Sequence, residues 1–202
     1  DGTSGALLCA MDGSLLTGFR TGAAGAVSVR ALARDDARVL AMIGTGTQAR
    51  MQVRAIREVM QIDRIHAWGR SPEGVAGFKA DIEAEFGLPV ICHASPQDAV
   101  ADADVVVTTT RASGIVLHTG WLRPGTHVVA IGSDQTGKQE LDPRIFRHAR
   151  IIADSRAQCV VKGEVQHAIR AGLVADVQAE IGEVLLGRAV GRERSEEHTS
   201  EL

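Results

Sequence analysis

Residues 39–49 read VLAMIGTGTQA. A short apolar run ends in a glycine-rich turn, and a helical pattern opens directly after it. Gly44-Thr45-Gly46-Thr47-Gln48-Ala49 fits G-x-G-x-x-A, the phosphate-binding turn of a dinucleotide-binding βαβ unit. The residue types carry the chemistry. Gly44 allows the tight turn out of the strand. Gly46 has no Cβ, so backbone can approach a pyrophosphate. Ala49 is small enough for helix and strand to pack together. The helix N-terminus then offers unpaired N–H groups and a positive dipole end to the phosphates.

Working outward, the apolar periodicity predicts strands over 38–43, 64–68, 90–93, 104–108, 127–131 and 151–154. Helices are expected over 47–60, 72–86 and 96–101. Met51, Ala55 and Val59 stripe the first at helical spacing. Pro72 opens the second and Gly87 closes it. Near-continuous apolar strands alternating with helices imply an α/β fold with a doubly wound parallel sheet covered on both faces. Before the first strand, Leu15 to Arg20 is expected as a strand and Thr21 to Arg34 as a small-residue helix.

Composition narrows the class. The chain has 202 residues, 22 glycines, 3% aromatics, no tyrosine and a net charge of −3, which argues against nucleic acid as a partner. No apolar stretch reaches membrane-spanning length, so no membrane partner is expected. Cys9, Cys92 and Cys159 are odd in number and lack CxxC spacing, which reads as reduced, mostly buried thiols in a cytoplasmic protein. No His/Cys cluster has metal-ligand spacing, so no metal is expected. Residues 194–202 (RSEEHTSEL) resemble a translated sequencing adapter and are set aside as a non-native tail.

Five stretches, taken in order, resemble the ornithine cyclodeaminase/mu-crystallin family. They are 16–24 (LTGFRTGAA), 44–49 with Gln52, 107–110 (VTTT), 124–127 (PGTH) through 132–141 (GSDQTGKQEL), and Gly163-Glu164 with 180–187 (EIGEVLLG). The resemblance implies a Rossmann-like cofactor domain over 36–155. Residues 1–35 would end a substrate and dimerisation domain, and 156–193 would return to it as helices. It implies an NAD(P)-dependent homodimer of the ornithine cyclodeaminase type, transferring a hydride at the α-carbon of a small amino or imino acid. A ketimine reductase or alanine dehydrogenase is the alternative, and a non-catalytic NADP(H)-regulated binding protein is the alternative of another class. Cyclodeaminases, ketimine reductases, some alanine dehydrogenases and a hormone-binding crystallin belong to this family.

The resemblance also assigns roles. Asp134 alone reads as an Asx-turn aspartate that opens a loop; the family pattern makes it the general acid/base at the substrate nitrogen, suited to the task if partial burial raises its pKa. Arg20 becomes a carboxylate ligand through its planar fork of donors, in a setting expected to be partly buried by Leu16, Phe19 and Ala23. The family usually has alanine where Gly22 stands. Its other substrate-binding arginine and lysine are expected upstream of this sequence. Thr108, Thr109 and Thr110, otherwise ordinary strand filler, are placed beside the nicotinamide and its ribose, with Gly132 also at the cofactor. Glu164 and His167 read as structural or as the edge of the site.

The end of the second strand bears on the cofactor. An NAD-preferring protein places Asp or Glu about 20 residues past the glycine turn. Here Gly69 stands there, followed by Arg70 and Ser71, which suit a 2′-phosphate and lean the reading toward NADP(H).

Overall fold

The structure, a computed structural model, describes residues 1–192 and the backbone of a further strand, His198–Glu201. In chain order the elements are α1 (Gly13–Leu32), β1 (Val39–Ile43), α2 (Thr47–Ile56), β2 (Arg64–Trp68), α3 (Pro72–Phe86), β3 (Val90–Cys92), α4 (Pro96–Val100), β4 (Val105–Thr108) and β5 (Ser113–Leu117). There follow β6 (His127–Ala130), β7 (Gln139–Leu141), β8 (Ala149–Ala153), α5 (Arg156–Lys162), α6 (Val165–Arg170), β9 (Ala179–Glu180), α7 (Ile181–Leu185) and β10 (His198–Glu201).

The main sheet runs β3-β2-β1-β4-β6-β10-β8-β9, with every described pairing parallel. Strand order reverses across β1, between β2 and β4. That reversal is where a doubly wound sheet opens a crevice at its carboxyl edge. The strand β10 lies in residues set aside as a tail, yet its backbone pairs between β6 and β8. A second, two-stranded parallel sheet of β5 and β7 was not expected from the sequence.

Side chains alternate along each strand, so β1 feeds two cores. Leu40 and Met42 join Ile65, Val105 and Val107 beneath α1, α2 and α3. Ala41 and Ile43 join Val106, Val128 and Ala130 beneath α4, α5 and α6. Burying a Leu or Ile side chain is worth roughly 1.5–3 kcal/mol, and both faces of the sheet are covered, as its apolar strands require. Asp104 ties the starting edges together. Its carboxylate accepts the N–H groups of Arg38 (2.9 Å) and Val39 (3.0 Å) and pairs with Arg34 at 2.8 Å.

The segment before β1 corrects the sequence reading. Residues 15–20 are helical, not extended, and belong to α1, which Asp12 caps by accepting Ser14 N–H at 2.7 Å. The buried face of α1 is Gly18, Gly22, Gly25, Ala26 and Val29. A Cβ at Gly22 would sit 2.6 Å from the Met51 carbonyl oxygen, and one at Gly25 would sit 2.0 Å from Gln52 Oε1. Close backbone approach to α2 therefore explains glycine where the family usually has alanine. The cysteine expectation holds for Cys159 alone, which is buried and has its thiol pushed up to about 12 by burial; Cys9 and Cys92 are exposed. All three are free thiols. Among the described residues, no helix is long and apolar enough to cross a membrane.

Candidate active site

The glycine turn leaves the carboxyl end of β1 and enters α2. Gly44 has φ +103°, and a Cβ there would lie 2.9 Å from Thr109 Oγ1, so both backbone and space call for glycine. Gly46 is the N-cap of α2, with no side-chain cap on the helix, and a Cβ on it would meet nothing within 4 Å. Ala49 is fully buried under the helix. An uncapped helix N-terminus with open space over a bare backbone fits a dinucleotide pyrophosphate. Arg50, which the motif does not name, braces the turn. Its guanidinium donates to the carbonyls of Thr45 (2.7 Å) and Gly46 (3.2 Å) and pairs with Asp81.

At the end of β2 no acid stands at residue 69, and the space beside it is tight. A Cβ on Gly69 would lie 2.7 Å from Thr45 Oγ1. Thr45 thus packs on the adjoining strand end. Arg70 is exposed. Ser71 is the N-cap of α3: its hydroxyl accepts Gly74 N–H at 3.1 Å and donates to Glu73 at 2.7 Å. A carboxylate therefore adjoins the arginine and serine proposed from sequence.

A cleft of ≈ 460 Å³ opens where α1, α2, the end of β6 and α5 meet, and Arg20, Gln48, Ser133, Asp134, Asp154 and Lys162 are among its lining residues. Arg20 and Asp134, 114 positions apart in sequence, thus share one cleft. Two expectations about them fail. Arg20 is exposed, because Leu16, Phe19 and Ala23 point away from the packed face of α1. The Asp134 side chain is 65% exposed, so the described residues do not provide the expected burial; instead Lys138 donates to it at 2.6 Å.

The ends of β4 and β6 are joined by a residue that the sequence reading passed over. Glu140 is buried, and its Oε2 accepts the Thr108 hydroxyl (2.7 Å) and Gly132 N–H (2.9 Å), while Oε1 accepts Thr110 N–H (2.6 Å). Burial pushes the Glu140 pKa up, against the pull of these donors. The Thr108 hydroxyl and the Gly132 N–H, both expected at the cofactor, are engaged by Glu140, and the Thr108 side chain is buried. Thr109, whose hydroxyl lies 3.4 Å from the Gly44 carbonyl, sits against the glycine turn. Glu164 repeats the pattern one layer down. It accepts the N–H groups of Glu140 (2.7 Å) and Leu141 (3.0 Å), and burial raises it to about 7. His167 Nε2 lies 2.6 Å from the Lys138 carbonyl. Among the described residues, no group of three or more His, Cys, Asp or Glu side chains could hold a metal ion.

A model of the ornithine cyclodeaminase/mu-crystallin family matches residues 1–200. The chain belongs to that family. This cyclodeaminase-family chain is 42% identical over 194 residues to the iminosuccinate reductase of Paracoccus denitrificans, covering 95% of the chain and 60% of that relative. It superposes with a TM-score of 0.96 and 30% identity on Thermococcus litoralis Δ1-pyrroline-2-carboxylate reductase in complex with NADH and L-proline, covering 100% of this chain and 63% of the other. A lysine cyclodeaminase matches with a TM-score of 0.90 and 34% identity, over 100% of this chain and 58% of that one. The chain therefore spans about 60% of the relatives it matches. Imino acid reductases and cyclodeaminases both stand among these relatives of the cyclodeaminase-family fold.

Proposed function

We propose that this chain carries the cofactor half of an NAD(P)-dependent enzyme that transfers a hydride at the α-carbon of an amino or imino acid. The observation that carries the reading is the cleft itself, which puts Arg20 and Asp134 together at the carboxyl edge of the sheet, beside the helix that the glycine turn opens. Gly44–Ala49 would hold the pyrophosphate, with Thr109 and Thr110 at the nicotinamide end. When bound, the dinucleotide gives or takes a hydride at nicotinamide C4. Arg20 pins the substrate carboxylate with its fork of donors. Asp134 moves the proton at the adjacent nitrogen, and Lys138 holds its carboxylate in place between turnovers. Reduction of a C=N bond is the reading favoured by the iminosuccinate and pyrroline-carboxylate reductases. Cyclodeamination, in which the hydride returns after ammonia leaves, is the second reading, favoured by the likeness to lysine cyclodeaminase. A binding protein like the crystallin members would keep the cleft without turnover.

At the 2′ end, exposed Arg70 supports NADP(H). The Glu73 carboxylate on Ser71 supports NAD(H) as the second reading, because it would repel a 2′-phosphate. The exposed apolar side of α1 supports a homodimer, and the free thiols support a cytoplasmic site. In the intact protein, NAD(P)H and ammonia should be followed together with imino acids, L-alanine, L-lysine and L-ornithine. Asp134→Asn should lower turnover about 10²–10⁴-fold, the usual scale for acid–base catalysis, with cofactor affinity kept. Turnover within a few-fold of the parent would remove Asp134 from the chemistry and favour the binding-protein reading.

A further inference from the structure

The Asp134 loop leaves β6 at Gly132 and returns into β7 at Gln139–Leu141, and both ends of that loop rest on buried carboxylates. Glu140 reaches back across the loop to Gly132 and sideways to Thr108 and Thr110 at the end of β4. One carboxylate thus spans the two strand ends that border the site and the root of the loop bearing Asp134. Glu164 in turn fixes the Glu140 backbone. The space is cut to this carboxylate: a Cβ on Gly132 would fall 2.3 Å from Glu140 Oε2. Inside the loop, Ser133 Oγ donates to the Lys138 carbonyl at 3.1 Å, and Gly137 N–H donates to Gln166 at 3.3 Å. A buried carboxylate is a poor route to stability, since an apolar residue of similar volume usually does as well. What it adds is geometry, because three donors from two strands and a loop must converge on it.

We propose that Glu140 is a positioning residue: through Thr108, Thr110 and Gly132 it sets the placement of the Asp134 loop against the end of β4. The proposal rests on the acid–base reading of Asp134. Glu140→Gln tests it in the intact protein. An amide oxygen can replace Oε2, but its NH₂ then faces the Thr110 N–H, donor against donor, and the Thr110 contact just past β4 opens. Turnover should fall about tenfold or more, since misplacement by an ångström is enough for that, while KM for the amino or imino acid stays within about threefold. Gly132→Ala, which pushes the same carboxylate away from the opposite side, should give the same split. A merely structural brace would lower Tm and leave kcat within about twofold; that result in a folded variant overturns the proposal. Should neither variant fold, hydrogen exchange on the unaltered protein decides. The Thr110 and Gly132 amides should exchange as slowly as those inside β4 and β6, and fast exchange overturns the clasp. Asp134→Asn, measured beside them, keeps the two claims apart. Parent-like turnover there defeats the acid–base reading, whereas loss there with an unaffected Glu140→Gln defeats only the positioning role.

Discussion

At Gly46 the backbone is extended (φ −80°, ψ −165°), a conformation that valine also adopts, and the added side chain would meet none of the chain's own atoms. Gly46→Val should therefore fold as the parent does, by circular dichroism and Tm, and lose NADH and NADPH binding in a fluorescence or calorimetric titration. Parent-like affinity would mean that no pyrophosphate lies over this turn. Gly44→Ala is the contrasting case. Its φ of +103° and the Thr109 contact place the strain in the fold, so it should destabilise by about 1–3 kcal/mol. Arg70→Ala addresses the cofactor's 2′ end. A charged hydrogen bond is worth roughly 1.5–3 kcal/mol, and exposure puts Arg70 near the bottom of that range. NADPH should weaken by about tenfold with NADH unchanged; equal losses would show that Arg70 does not read the 2′ position. These residues were legible in the sequence because each belongs to a short local motif. Glu140 was not. A glutamate flanked by Gln139 and Leu141 reads as a surface residue, and only the fold brings Thr108, Thr110 and Gly132 around it.

Among the elements, the β/α alternation after residue 38 was legible because both faces of every central strand are buried, so apolar runs and turn residues report it directly. Helix α1 was misread for a physical reason. Its burial is carried by glycine and alanine, while Leu15, Leu16 and Phe19 lie on the outer side, so apolar spacing over 15–20 says nothing about its packing on α2. The β5–β7 sheet escaped because β7 is only Gln139–Leu141, too short and polar to signal a strand. The contact of α1 with β6 gives a pH prediction. Ser28 Oγ and His127 Nε2 lie 2.9 Å apart, both buried, and burial first, then the charge of Arg192, lower His127 from 6.5 to about 3. The unfolded chain protonates this histidine below pH 6.5 and the folded chain does not. His127 therefore contributes stability above that pH, which is lost as pH falls toward 3. The slope is about 1.4 kcal/mol per pH unit for one proton. Urea unfolding across this window should show His127→Gln with a slope shallower by one proton. Equal slopes would mean that His127 accepts its proton while still inside the fold.

Over the whole molecule, α1 is apolar on both sides, with the sizes reversed from the usual arrangement. Small residues at 18, 22 and 25 face α2, and large ones at 15, 16, 19 and 27 face outward. Leu15, Leu16 and Phe19 are 58–61% exposed, and Leu7, Leu8 and Met11 extend the same apolar character. Exposed apolar side chains along one helix are the kind of surface that interfaces use. This one adjoins Arg20, so whatever covers α1 also closes the side of the cleft where the substrate carboxylate would sit. Such cover would dehydrate Arg20 and strengthen its grip on that carboxylate. The prediction follows for residues 1–202 purified alone. They should bind an apolar dye and elute larger than a monomer, and Leu16→Asp with Phe19→Asp should reduce both effects without changing NAD(P)H affinity, because neither side chain is among those lining the cleft. A dye-silent monomer would show that α1 tolerates water on this face. Loss of cofactor binding in the double variant would mean that the α1 surface and the phosphate turn are not independent.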